Sequence, residues 1–358
     1  MQLNMNPSQP DPALTAILKH GAAMGAANKD FASLGALARE IEKIDQGEKM
    51  VPHPTPLDIS KAVIEFPALL SLTIPERKCH VPWLAEGGIV MAYGPRGVGK
   101  TFFTLGLATA LTAGVDFLQW SVTAPVGVLY VDGEMPLHEL RTRAAALTRH
   151  PPKAPFHFLS GEKVYYELQR DLVLTGEPMR DAVMAFLTAH PDIRVVILDN
   201  ISCLFPGINE DKKQDWEPIN AWLIRLRHRG LASVLVHHAG KGGQQRGTSG
   251  REDALDTVIQ LDQPPGYDPR EGCHFEVRFT KSRSVKGKDV APLDVKLGET
   301  DGALQWTFKT LEESTLDQVK ELLADGVTSV TDIAEELDIS KGYASKLKRK
   351  AETKTGTE

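Results

Sequence analysis

Residues 94–101 read Gly94-Pro95-Arg96-Gly97-Val98-Gly99-Lys100-Thr101, a match to GxxxxGK[ST]. No other stretch restricts the fold as tightly. Such a loop needs a buried strand before it and a helix after it. Its glycines let successive backbone N–H groups converge on a phosphate, and the helix N-terminus adds partial positive charge. Both flanks are present: the apolar run Ile89–Tyr93 precedes the loop and TFFTLGLATALTAG follows it. Lys100 would bridge the β- and γ-phosphates of a nucleoside triphosphate, and Thr101 would hold Mg²⁺.

From about residue 61 to 310, short Val/Ile-rich runs alternate with helical stretches. Gly88–Tyr93, Gly127–Val131, Arg194–Leu198, Ala232–Val236 and Phe275–Phe279 read as strands. Continuous apolar strands between helices predict an α/β layered domain with a mainly parallel sheet. Residues 1–60 read as an N-terminal helical arm and linker, partly disordered. Phe31, Leu34, Leu37, Ile41 and Ile44 recur at helical spacing, and VPHPTP (51–56) cannot continue a helix. The arm packs either on its own domain or on a neighbouring subunit.

A metal-bound triphosphate needs a further carboxylate. Asp199 ends the run Val195–Leu198 as a Walker B aspartate does, but Asn200 follows it where many ATPases place a glutamate. The general base must then come from elsewhere. Glu134, in VDGEM after the strand Val128–Val131, is the first choice, and Asp132 is its competitor.

The ordered set GGIVMAYGPRGVGKT, GVLYVDGEMP, VVILDN and VLVHHAGKGGQQRGTSGREDALDTVIQLD resembles the RecA-like core of hexameric replicative DNA helicases of the plasmid RepA and DnaB type, superfamily 4. The resemblance spans about residues 80–290. It implies ATP and Mg²⁺ as cofactors and a homo-hexameric ring around single-stranded DNA. It also implies a γ-phosphate sensor at His237, with His238 the alternative. The family's trans-acting cations fall on Lys281 and Arg283 in RFTKSRSVKG, where Arg283 would serve as an arginine finger toward the neighbouring subunit. The family carries DNA-binding loops in the region of AGKGGQQRGTSGR (239–251), here glycine-rich with Lys241, Arg246 and Arg251 and no acidic residue. Residues Phe205–Trp216, with Lys212 and Lys213 but also Glu210, Asp211 and Asp215, form a weaker second loop.

After Trp306 the pattern becomes wholly helical. Residues 311–358 read as a helix-turn-helix or winged-helix-like module with a basic tail. Thr331-Asp332 is expected before its first helix and Ser340 at the cap of the second. Lys346 and Arg349 would meet nucleic acid on that second helix; a protein-docking module is the alternative. No aromatic or Asn/Gln cluster there indicates base readout.

Net charge is −6, from 41 Lys+Arg against 47 Asp+Glu, so any nucleic-acid contact has to be local rather than a basic coat. Three isolated cysteines form no disulfide framework or zinc spacing, and no apolar run of membrane-spanning length occurs. A cytoplasmic protein with no membrane partner is expected. No DnaB-type N-terminal domain and no primase module is recognisable, so a separate primase or replication initiator is implied. The sequence therefore predicts a ring-forming, ATP-driven helicase in plasmid, phage or mobile-element replication. A DNA-bound ATPase regulator or loader is the runner-up, and a filament-forming recombinase the third reading.

Overall fold

A computed structural model describes residues 58–208, 212–239, 254–300 and 303–354. The chain divides into two compact units, Met1–Ile74 and Pro75–Glu358. In the first, a 3-10 turn at Ser60–Ala62 precedes α1 (Phe66–Ser71), with a proline in its first turn. None of residues 58–74 is buried, although the segment carries Val63, Ile64, Phe66 and Leu70. The N-terminal apolar stripe, Phe31 to Ile44, lies outside the described residues.

The second unit is built on a nine-stranded sheet. Its strands follow a small hairpin, β1 (Cys79–Val81) with β2 (Leu84–Ala85). They are β3 (Ile89–Gly94), β4 (Gly127–Asp132), β5 (Phe156–Ser160), β6 (Ile193–Asp199) and β7 (Ala232–His238), then β8 (Thr257–Asp262), β9 (Cys273–Ser282), β10 (Leu293–Thr300) and β11 (Ala303–Thr310). In space they run β11-β10-β9-β8-β3-β7-β6-β4-β5. The six strands from β8 to β5 are parallel, whereas β9, β10 and β11 extend the sheet in antiparallel fashion. Every residue of β3 and β4 is buried, as a parallel strand covered on both faces requires.

Helices α2 (Lys100–Ala113) and α3 (Leu137–Leu147) cover one face, where Phe103, Leu105 and Leu140 meet Val90, Tyr130 and Ile197. The other face is covered by α4 (Gly161–Leu168), α5 (Glu177–Ala189), α6 (Ile201–Leu204) and α7 (Lys213–His228). There Val164, Val183, Ile201 and Trp222 meet Met91, Val131 and Leu198. Under α2 lies an aromatic cluster in which Trp83 meets Trp120 edge-on at 5.4 Å and Trp306 meets both Phe117 and Phe275. Each edge-to-face pair adds about 0.5–1.5 kcal/mol beyond area burial.

The C-terminal helices are α8 (Leu311–Ala324), α9 (Val330–Glu336) and α10 (Lys341–Lys354). They enclose a small core of Leu316, Val319, Ile333, Ala334, Ala344 and Leu347. A capping box between Thr310 and Glu313 starts α8. The cap of α9 is Ser329, which accepts from Asp332 N, and not the Thr331-Asp332 pair expected from sequence. Ser340 accepts from Tyr343 N at the head of α10. Among the described residues no helix is long and apolar enough to cross a membrane.

Candidate nucleotide site

The phosphate loop leaves the C-terminal end of β3 and enters α2 at Lys100. Two of its glycines are fixed by their surroundings. A Cβ on Gly94 would collide with the Leu261 carbonyl of β8. Gly99 combines φ +111° with a Cys273 Sγ that would stand 2.7 Å from such a Cβ. Val98 anchors the loop in the core, leaving Arg96 and Gly97 exposed. Lys100 is folded into the loop, its Nζ donating to Gly94 O at 2.9 Å and Pro95 O at 2.6 Å. Burial lowers its pKa to about 8, while the carboxylates of Asp199 and Glu134 pull the other way. A triphosphate placed here would act as those carboxylates do and hold the lysine charged.

Asp199 closes the site from the end of β6. It is buried, accepts from Tyr130 Oη at 2.7 Å, and is hydrogen-bonded to Thr101. Tyr130 in turn lies 2.9 Å from Thr104 Oγ1, one turn along α2. Desolvation raises the Asp199 pKa, and these hydrogen bonds oppose the rise. Tyr130 therefore ties Asp199 to the helix that carries the phosphate loop. Sequence reading missed it; the signal was a lone hydroxyl in the otherwise aliphatic run GVLYV. As a test of fit for Mg²⁺, a buried carboxylate and a threonine hydroxyl in mutual contact beside the lysine form a suitable hard-oxygen pair.

Asp132 and Glu134 follow one another at the end of β4 but do different things. Asp132 is 1% exposed, and its Oδ1 accepts from Glu134 N at 3.2 Å and Met135 N at 2.7 Å. Burial pushes it up to about 7. Its Oδ1 is thus committed to shaping the turn. Glu134 projects outward from that turn and is exposed, its Oε2 hydrogen-bonded by Asn200 Nδ2. Beside it opens a cleft of about 540 Å³, lined among others by Gly133, Pro136, Tyr166, Leu172 and Cys203.

The two histidines of β7 lie on opposite faces. The register pairs Tyr93 with His237 and Gly94 with His238. Tyr93 belongs to the core away from α2, so alternation puts His237, 1% exposed, on the face opposite the phosphate loop. His238 falls on the face shared with Asp199 and the loop, and Ala239 N donates to Gly94 O. The strand geometry thus brings the alternative, His238, rather than His237, to the face of the phosphate loop. The register of the strand cannot be read from SVLVHH alone.

Lys281 and Arg283 lie at the other end of the sheet. Ser282 pairs with Thr257, which is level with Val90, and Arg283 N donates to Asp256 O. That level is four residues, roughly 13 Å of strand, below Gly94. Lys241, Arg246 and Arg251 lie outside the described residues, as do Glu210 and Asp211. The second loop is pinned at both ends by buried Phe205 and Trp216, with Lys212 exposed between them. On α10, Lys346 and Lys350 both reach Glu312, at 3.4 and 3.0 Å, and Lys346 also lies over the Tyr343 ring. Arg349 Nε contacts Ser345 O at 3.4 Å.

A phosphate loop at the end of β3, an aspartate ending β6 and this strand order define the core of a P-loop ATPase. A family model described as an AAA domain matches residues 54–244, more than half of the chain. The protein belongs to that AAA domain family. Among solved structures, a KaiC-like protein from the hyperthermophilic archaeon Pyrococcus horikoshii OT3 is 15% identical, with a TM-score of 0.46 over 65% of this chain and 99% of that one. No curated protein matches the chain.

Proposed function

We propose that this ATPase assembles into a ring, most simply a hexamer, and uses ATP hydrolysis to translocate on single-stranded DNA and unwind duplex. The observation that carries the reading is the split of the chemistry between two ends of one sheet. Lys100, Thr101, Glu134 and Asp199 stand at the C-terminal ends of the parallel strands, while Lys281 and Arg283 stand roughly 13 Å of strand below them. Cations so placed stand away from the phosphate loop of their own chain, so on this reading they would serve a nucleotide held by another subunit, and each site would be completed at an interface. The sequence resemblance to RepA- and DnaB-type helicases supplies the DNA substrate.

Within one site the loop N–H groups and Lys100 would hold the phosphates, and Glu134 would orient the attacking water and take its proton. Asp199 and Thr101 would hold Mg²⁺, which when bound neutralises charge on the β- and γ-phosphate oxygens. His238 would sense the γ-phosphate, and Arg283 of a neighbour would stabilise charge in the transition state. The loop around 239–251, which follows directly on His238, would contact DNA phosphates in register with the nucleotide state.

A second reading, the regulator or loader, is favoured by the C-terminal module with its own core. Its duplex-binding face is reduced, because Glu312 already engages Lys346 and Lys350. Steady-state ATPase rates separate the two. Strong stimulation by single strands of any sequence is expected of the translocating ring. A rate indifferent to single strands, or raised only by particular duplexes, replaces it with the regulator.

A further inference from the structure

We infer that Asn200 is the positioning residue for the water-activating carboxylate, holding Glu134 in the site from the neighbouring strand end. The inference rests on the reading of Glu134 as general base and goes beyond it by assigning what aims that base. Glu134 is exposed on a turn, and an untethered glutamate side chain gives up rotamer freedom when it is fixed. Its backbone is already set. Asp132 accepts from the amides of Glu134 and Met135, and Gly133 N donates to Asp199 O at 2.8 Å, clamping the turn to β6. A side chain at position 133 would strike Leu204. What remains loose is the carboxylate, and Asn200 Nδ2 reaches it.

Asn200 is suited to this by its own restraint. It is 2% exposed, and its Oδ1 accepts from Cys203 N at 3.1 Å as the cap of α6. With the oxygen committed to the helix, the amide nitrogen has to face the other way, toward Glu134. Where a second glutamate would repel the first, a neutral amide directs it and leaves its charge available for a proton. The Asn that takes the place of the adjacent glutamate in this sequence thus complements a base supplied from β4.

Two substitutions keep the helix cap and remove the contact. Asn200→Asp preserves Oδ1 but sets a carboxylate against Glu134, and Asn200→Ser keeps a capping oxygen too short to reach it. Nucleotide affinity should stay within about twofold of wild type in both, measured by titration with a fluorescent ATP analogue. Turnover at neutral pH should fall about tenfold or more. For Asn200→Asp the acid limb of the kcat–pH profile should move up by about one pH unit or more, since two carboxylates in contact do not both ionise readily. A profile and kcat unchanged in both variants overturns the inference, as does a lost kcat with the acid limb of Asn200→Asp in place. Glu134→Gln is measured alongside. If it binds ATP but is inert while the Asn200 variants behave as wild type, only the positioning role fails. If Glu134→Gln still turns over, the base assignment fails with it.

Discussion

Asp132 shows how one buried carboxylate can set a local shape at a cost in stability. Its pKa rises from 3.8 to about 7 because burial disfavours the charge. A carboxyl whose native value lies above its unfolded value favours folding fully below about pH 4. That contribution is lost as pH rises through about 7, where the native state must carry a desolvated charge. Asp132→Asn keeps an oxygen for the amides of Glu134 and Met135 while removing the ionisation. In nucleotide-free protein the variant should be more stable than wild type at pH 8, by about 1–3 kcal/mol in urea denaturation, and should show no gain at pH 4. Of the site itself, Lys100, Thr101, Asp199 and Glu134 were legible in the sequence because each follows a strand that announces itself by Val and Ile. Tyr130, Asn200 and the choice between His237 and His238 were not. They depend on which face of a strand meets α2, and a run buried on both faces carries no mark of that.

At the scale of elements, α2 links the nucleotide to the antiparallel extension of the sheet. Gly106 lies midway along it, and a Cβ there would stand 2.8 Å from Trp306 Nε1 and 3.0 Å from Phe117 Cε2. Helix propensity alone makes Gly→Ala favourable by about 1 kcal/mol, whereas overpacking against two rings costs about 1–3 kcal/mol. The packing term is the larger. Gly106→Ala should therefore lower the thermal midpoint and weaken ATP binding together, and a raised midpoint would show that the aromatic cluster yields easily. The same elements explain what sequence left unread. Strands β3, β4, β6 and β7 each contain a continuous apolar run, but β10 and β11, LDVKLGET and ALQWTFKT, alternate with polar residues and lie toward the sheet edge. Strand β5 is short and follows a proline-rich stretch. The cap of α9 was misplaced because Ser329, Thr331 and Asp332 are all good capping residues and only the backbone turn selects among them.

For the whole molecule, the separation of Arg283 from the phosphate loop makes the proposed sharing of each site between subunits open to a direct test. On that reading, Lys100→Ala subunits would lack a nucleotide site but retain the finger, and Arg283→Ala subunits would have the converse defect. Each should be nearly inactive alone, and mixing should restore part of the ATPase rate, because some interfaces then pair an intact loop with an intact finger. Absence of rescue at every ratio counts against sharing between subunits. The experiment needs no DNA, so it separates ring chemistry from translocation.

The contact between Gly106 and Trp306 has a practical consequence. Trp83, Trp120, Trp216 and Trp222 are all buried, while Trp306 alone of the five tryptophans is partly open to solvent. It sits against the helix whose first turn would grip the phosphates. The protein therefore carries a built-in optical reporter. A collisional quencher should select the emission of Trp306, and a change in that quenching on adding ATP would allow occupancy of the site to be followed in unlabelled protein.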